Sequence, residues 1–263
     1  MAIRTTAIVN LKGGVAKSTT AINMAAILAK DYGKRVLVID ADSQCNLTEF
    51  FGADPAAGNL AQVLRLSEAQ MDPGAYASGC IQSSNFPGID ILAGDDALMD
   101  LDLSKVEFGT VNANVLRYLV REVKDRYDHI LIDCPPAFNA ASAAALIAAD
   151  DVLIPVKLDA FSLRGMVNLT RQIQNMRKIN SGLTLAGVLP TMWYRDPKIT
   201  GSEYQLRQAG LRVFHHIRRS DTVDRMTYEQ TPLLVSSPKS GAGKDYRKFV
   251  CEFLGVGGAE NGR

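Results

Sequence analysis

Features that staple, span or export a chain are missing from this sequence. Its four cysteines, Cys45, Cys80, Cys134 and Cys251, include no C-x-x-C pair, which excludes a zinc ribbon and a redox dithiol. No charged n-region with an apolar core opens it, so a secretory signal is not read and reduced thiols in the cytoplasm are expected. The longest apolar stretch, residues 143–149, is far below the roughly 18 residues of a membrane span. A large charge surplus is also lacking, since the net charge is +1. What is present is an ordinary globular balance of 47% hydrophobic and 22% charged residues over 263 positions, long enough to bury a core without staples.

The charge is unevenly spread. Residues 1–156 carry 12 basic and 19 acidic side chains, and residues 157–263 carry 17 and 9. The C-terminal part is therefore the place for a surface that faces a polyanion.

Short apolar, β-branched runs alternate with longer helical patterns. Strands are expected over 5–10, 35–39, 129–132, 151–156 and 183–189, with helices near 17–30, 114–124 and 163–179. Runs such as VLVI and HILI are apolar on both faces, as in parallel strands covered by helices on each side. The expected fold is α/β: an open, mostly parallel, twisted sheet with helices on both faces, in a single domain over 1–263. Residues 68–111, with weak periodicity and a hairpin pairing 80–82 with 89–92, read as an insertion, and 255–263 as a flexible tail.

The first strand runs into Leu11, Lys12, Gly13, Gly14, Val15, Ala16, Lys17, Ser18, Thr19 and Thr20, where a helix starts. A strand, a Gly-rich loop and a helix N-terminus bind phosphate through unpartnered backbone N–H groups and the helix dipole. Lys17 belongs on the β/γ-phosphates and the Ser18 hydroxyl on Mg²⁺. The ordinary pattern G-x-x-x-x-G-K-[ST] fails at Leu11 and Ala16; the deviant form K-G-G-x-x-K-[ST] fits, with a second lysine at Lys12. With Ala at 16, a positive φ is not expected there.

Asp40 and Asp42 end the second expected strand, at the edge where open α/β sheets place ligands. A turn-forming Asp explains one of them but not both. Together they can hold Mg²⁺ through water and orient an attacking water. Asp133 ends another apolar strand at the same edge, where an unpaired carboxylate is costly and a Mg²⁺-bound water is its natural partner.

These motifs resemble the ParA/MinD group of deviant-Walker ATPases, most closely the Soj-like partition proteins. The resemblance rests on residues 12–20, on Asp40-Ala41-Asp42-Ser43-Gln44-Cys45-Asn46, and on Ile132-Asp133-Cys134-Pro135-Pro136. Weaker segments surround Met192 and Ser237–Ala242. It implies ATP and Mg²⁺ as ligands and a cytoplasmic, nucleoid-associated ATPase working as an ATP-dependent homodimer. Lys12 then reaches the partner's nucleotide, Asp42 positions the hydrolytic water and Thr19 touches a phosphate, while Met192 with Arg218–Ser220 forms the adenine end. Catalysis falls to Lys12, Lys17 and Asp42, the metal side to Ser18, Asp40 and Asp133. Ser43 and Cys45 replace the family's Pro and Gly, and Arg218 stands where Pro is frequent. The iron–sulfur relatives need more than one placed cysteine, so Cys134 alone implies no cluster.

Within the group, a membrane-bound MinD-like protein would end in a basic amphipathic helix, whereas 255–263 is polar and Gly-rich. The phosphate loop begins at residue 12, which leaves no space for a preceding helix-turn-helix. The expected partners are therefore non-specific double-stranded DNA and a ParB-type protein, with no membrane. Arg195, Lys198, Arg218, Arg219, Arg225, Lys244, Arg247 and Lys248 are the expected DNA contacts, since phosphate binding needs cations and no base-reading pattern. The alternatives are a MinD-like positioning ATPase and a metabolic P-loop ATPase that binds no DNA.

Overall fold

Runs apolar on both faces become the inner strands of a seven-stranded sheet. The chain is described by a computed structural model over residues 3–66, 72–107, 109–159 and 162–256, with backbone only at 162–165 and 167. The strands are β1 (Arg4–Ile8), β2 (Val36–Asp40), β3 (Gln82–Ser83), β4 (Ile89–Leu92), β5 (His129–Asp133), β6 (Asp151–Lys157) and β7 (Thr184–Thr191). In the first half the helices are α1 (Lys17–Tyr32), α2 (Asn46–Phe51), α3 (Leu60–Leu64), α4 (Pro73–Gly79), α5 (Leu103–Glu107) and α6 (Val115–Glu122). The second half adds α7 (Ala140–Ala148), α8 (Ser162–Met176), α9 (Pro197–Gln208), α10 (Asp221–Tyr228), α11 (Leu233–Ser236) and α12 (Gly241–Leu254).

The strand order is β3-β4-β2-β5-β1-β6-β7, parallel except for β3. Side chains alternate between the two faces. Ala7, Leu37, Ile39, Ile130, Ile132 and Val152 pack against α6 and α7 on one face. Ile8, Val36, Val38, Leu131 and Leu153 pack against α1 and α12 on the other. Fully buried Ala21, Ala25 and Ala26 let α1 lie close to the sheet. Every buried strand face gains a cover, which is why the runs contain almost no polar residue.

Because six strands point the same way, Asp40, Asp133 and Lys157 and the loop after β1 all emerge along one edge of the sheet. That edge is where open α/β folds place ligands. The expected strands and helices over the first 40 residues and over 114–191 are present, with ends displaced by a few residues.

One expectation is corrected. The hairpin inside 68–111 forms, with Gln82 opposite Ile91 and Ser83 opposite Asp90. Its second strand, however, pairs in parallel with β2 from Val36–Ile89 to Ile39–Leu92. The segment thus extends the central sheet and is not an appendage; β4 has the apolar pattern of its neighbours, too short to stand out alone. Of the expected tail, Gly255 ends α12 in the left-handed region at φ 67, and 257–263 lie outside the described residues. Beyond β7, residues 212–219 continue the sheet edge: Phe214 N–H donates to Val188 O, Ile217 N–H to Pro190 O and Arg219 N–H to Trp193 O.

Candidate functional site

The loop after β1 folds over the N-terminus of α1. Thr20 N–H donates to Ala16 O at 3.0 Å to begin the helix, and no side chain caps it. The first-turn N–H groups and the positive end of the helix dipole are left for an anion. Gly13 and Gly14 face open space, since a Cβ at either would meet nothing within 4 Å. The loop is tied down on its far side. Lys12 N–H donates to Asn10 Oδ1 (2.9 Å), Asn10 Nδ2 to Pro155 O (2.8 Å) and Thr191 Oγ1 to Val15 O (3.1 Å).

Those ties overturn the expectation for Ala16. Its backbone lies in the left-handed region, φ 65 and ψ 37, although it carries a Cβ and the conformation costs about 1–2 kcal/mol. Anchoring through Asn10, Pro155 and Thr191 overrides the local preference. Cys45 does the same at the start of α2, with φ 54, and Met192 at the end of β7, with φ 51. With Gln230 (φ 42), four non-glycine residues in this backbone region lie in or beside one cleft, a pattern of functional sites.

The cleft measures about 980 Å³ and is lined by Gly13–Thr19, Asp42, Met192 and Arg218–Ser220. All expected loop and adenine-end residues except Lys12 therefore border one space. Lys17 is buried, its ammonium donating to Lys12 O at 3.4 Å. Lys12 turns aside, with its ammonium 2.5 Å from Asp159 Oδ2. Ser220 lies at the cleft and caps α10.

The three carboxylates differ in partners. Asp40 is fully buried, and its Oδ2 accepts from the Thr48 N–H (2.9 Å) and hydroxyl (2.8 Å). Burial pushes its acid up to about 6 against these bonds. Asp40 thereby fixes the start of α2, a role not read from sequence. Asp42 is buried beside it, and its Oδ1 accepts the Gln44 N–H at 3.1 Å. Asp133 is fully buried with neither oxygen hydrogen-bonded. Burial first, then the charge of Asp40, push its pKa well above the ordinary carboxylate range, against the pull of Ser18 and Lys17. A buried carboxylate with no hydrogen bond is costly while charged, and either a proton or a cation relieves it. Hard oxygen donors suit Mg²⁺, and the residues present fit it.

Two of the expected DNA contacts carry ion pairs within the chain while keeping part of their surface in solvent. Arg218 is held by buried Asp245 through Nε (2.7 Å) and Nη2 (2.9 Å), and Arg247 by Asp31 at 2.7 Å. Only Arg218 makes a two-pronged pair, the stronger geometry; Arg247 splits its donors between Asp31 and Pro238 O. Arg195, Lys198, Arg219, Arg225, Lys244 and Lys248 are exposed. Arg195 and Lys198 stand after β7, while Lys244 and Lys248 share one face of α12.

Thr48, Asp159, Thr191 and Lys157 belong to the cleft or its supports but were not singled out by sequence. Only Asp159 and Lys157 left a usable signal, two charges just past an apolar strand at the ligand edge.

Residues 3–185 match the family model described as AAA domain. The chain is 34% identical over 262 residues to the chromosome partitioning protein ParA of Caulobacter vibrioides, covering 96% of this chain and 94% of that protein. Among solved structures, the ATP complex of a McdA variant of Cyanothece superposes with a TM-score of 0.81 at 24% identity, covering 98% of each chain, a likeness of fold. The cobyrinic acid a,c-diamide synthase of Mycobacterium smegmatis with bound ADP and magnesium gives 0.78 at 26% identity, over 96% of this chain and 94% of that one.

Proposed function

This chain belongs to the ParA family of partition and positioning ATPases, and from that premise we propose that it is a DNA-partitioning ATPase whose ATP-bound dimer holds non-specific duplex DNA. The observation that carries the nucleotide part is Asp133, buried and unbonded beside the anchored phosphate loop. Its oxygens, reached through water, and the Ser18 hydroxyl would hold Mg²⁺, which when bound neutralises charge on the phosphate oxygens. Lys17 and the Gly13–Thr19 amides bind the phosphates, and Met192, Ser220 and the Arg218 backbone border the base. Asp42, buried at the cleft with one oxygen on Gln44 N–H, positions the attacking water.

Lys12 supplies a cation in trans. Its ion pair with Asp159 is half-exposed, so the pair contributes at most about 1 kcal/mol and yields to a partner's phosphates. Arg195, Lys198, Arg219, Arg225, Lys244 and Lys248 supply cations for DNA phosphates. Each subunit's modest basic surface is doubled on dimerisation, which makes DNA affinity depend on nucleotide. A ParB-type partner would accelerate hydrolysis and release the DNA. No helix among the described residues is long and apolar enough to cross a membrane, and the proposed work is on the nucleoid in the cytoplasm.

The test is retention of duplex DNA of arbitrary sequence with ATP, ADP or neither, at several salt concentrations. ATP-specific retention with a steep salt slope is expected, about −0.9 per phosphate contact. Equal retention with ATP and ADP, or turnover that rises with a small-molecule substrate and ignores DNA, sinks the reading and favours a metabolic ATPase.

A further inference from the structure

The strand order puts the phosphate loop between two neighbouring strand ends of opposite charge. On one flank of β1, β5 ends in Asp133, level with Ile8. On the other flank β6 pairs Leu153 with Ile8 and runs four residues further to Lys157. At about 3.3 Å per residue this carries it roughly 13 Å beyond Ile8, level with the loop. Two bonds hold it there. Asn10 Nδ2 donates to Pro155 O at 2.8 Å. Thr191, which pairs with Lys157 across the sheet, donates its hydroxyl to Val15 O at 3.1 Å.

Lys157 is exposed and lines the same cleft as Gly13, Gly14 and Lys17. The cleft lining sets Lys17, Lys157, Arg218 and Arg219 against Asp42, Glu49 and Asp224. An exposed ammonium on a flexible stem is a compact point charge well suited to phosphate.

We propose that Lys157 is a third phosphate-binding lysine, which contacts the terminal phosphate of bound ATP on the side opposite Asp133 and so favours ATP over ADP. The assignment to the terminal phosphate follows from position. β6 and β7 brace the loop at Asn10 and Val15, on the side of β1 away from β5 and Asp133. The proposal rests on the ATP-binding reading above.

Its test is equilibrium binding, by calorimetry, of a non-hydrolysable ATP analogue and of ADP, each with Mg²⁺, to the full-length chain. Lys157→Gln and Lys157→Ala should each weaken the analogue about tenfold and ADP less than twofold, while Lys157→Arg stays within threefold of wild type for both. Lys157 is exposed at a strand end, and thermal unfolding of each variant confirms its fold. Unchanged analogue affinity, or a loss shared equally with ADP, overturns the proposal. Lys17→Ala serves as the control. A wild-type chain that binds neither nucleotide defeats the underlying ATP reading and this proposal with it. A wild-type chain that binds both, with Lys157→Gln unaltered, defeats this proposal alone.

Discussion

The Lys12 ammonium and the Asp159 carboxylate meet at 2.5 Å, 147 residues apart in sequence. Their pairing holds within one subunit the cation proposed to act on another. Lys12→Ala should leave ATP affinity within about threefold and stability within about 1 kcal/mol, and should remove the ATP-dependent dimer. Asp159→Asn should favour that dimer severalfold. Asp42→Ala should slow turnover about 10²-fold or more, the scale of losing a group that positions or activates water, and trap the dimer. Light scattering with ATP decides; a Lys12 variant that dimerises normally ends the trans assignment.

Asp40 and Asp133 give a pH dependence with a definite sign. Their acids are raised by burial, Asp40 to about 6. The folded state therefore prefers them protonated, and the stability they contribute falls as pH rises from about 3.8 through 6 and beyond. Magnesium competes with those protons, so Mg²⁺-dependent nucleotide affinity should rise over the same interval. Asp133→Asn should abolish that dependence. It should also raise the melting temperature of the ligand-free protein, more at pH 8 than at pH 5. A variant as Mg²⁺-responsive as wild type removes Asp133 from the metal side.

Ala16 and Cys45 stand in the left-handed region with side chains. Glycine there relieves about 1–2 kcal/mol of strain but adds unfolded-state entropy. Ala16→Gly and Cys45→Gly should each stabilise by about 0.5–1 kcal/mol in urea titration. Loss of stability in both would show that the conformations are unstrained.

Arg195 and Arg218 should respond differently to charge reversal. Arg195→Glu should weaken DNA binding across all sequences and flatten the salt slope, with folding unchanged. Arg218→Glu faces buried Asp245, which is itself half of a bond network. Burial raises that acid, but His215 and Arg218 outweigh it and hold it far below the usual range. Placing a carboxylate beside Asp245 should lower stability by about 1 kcal/mol or more, since Arg218 is half-exposed and screened. If Arg218→Glu melts like wild type, the brace has no structural weight.

His129 adds an acid limit. Burial foremost, with Arg4 and Lys34, pushes its pKa down to about 4, and its Nδ1 has no partner. Neutral His129 is favoured in the folded state, so its contribution is complete above about 6.5. It falls as pH drops toward 4, by at most about 1.36 kcal/mol per unit. His129→Gln should flatten the urea midpoint over that interval.

What the sequence determined by itself was local. Strands β1, β2, β5 and β6 followed from runs apolar on both faces, and the phosphate loop from glycines and lysines between a strand and a helix. The spacing of Asp40, Asp42 and Asp133 at strand ends needed only the rule that parallel strands share a ligand edge. Tertiary structure decided what depends on a distant partner. The positive φ of Ala16 is imposed by ties to Asn10, Pro155 and Thr191, and its own preference opposes it. Thr48 holds Asp40 across a turn, Asp245 ties Arg218 to α12, and β4 joins β2 from a stretch with no clear period. Lys157 gains a role only because β6 lies next to β1. Neighbours in a parallel sheet are set by crossover connections rather than by adjacent residues, so no local pattern encodes which strand ends meet.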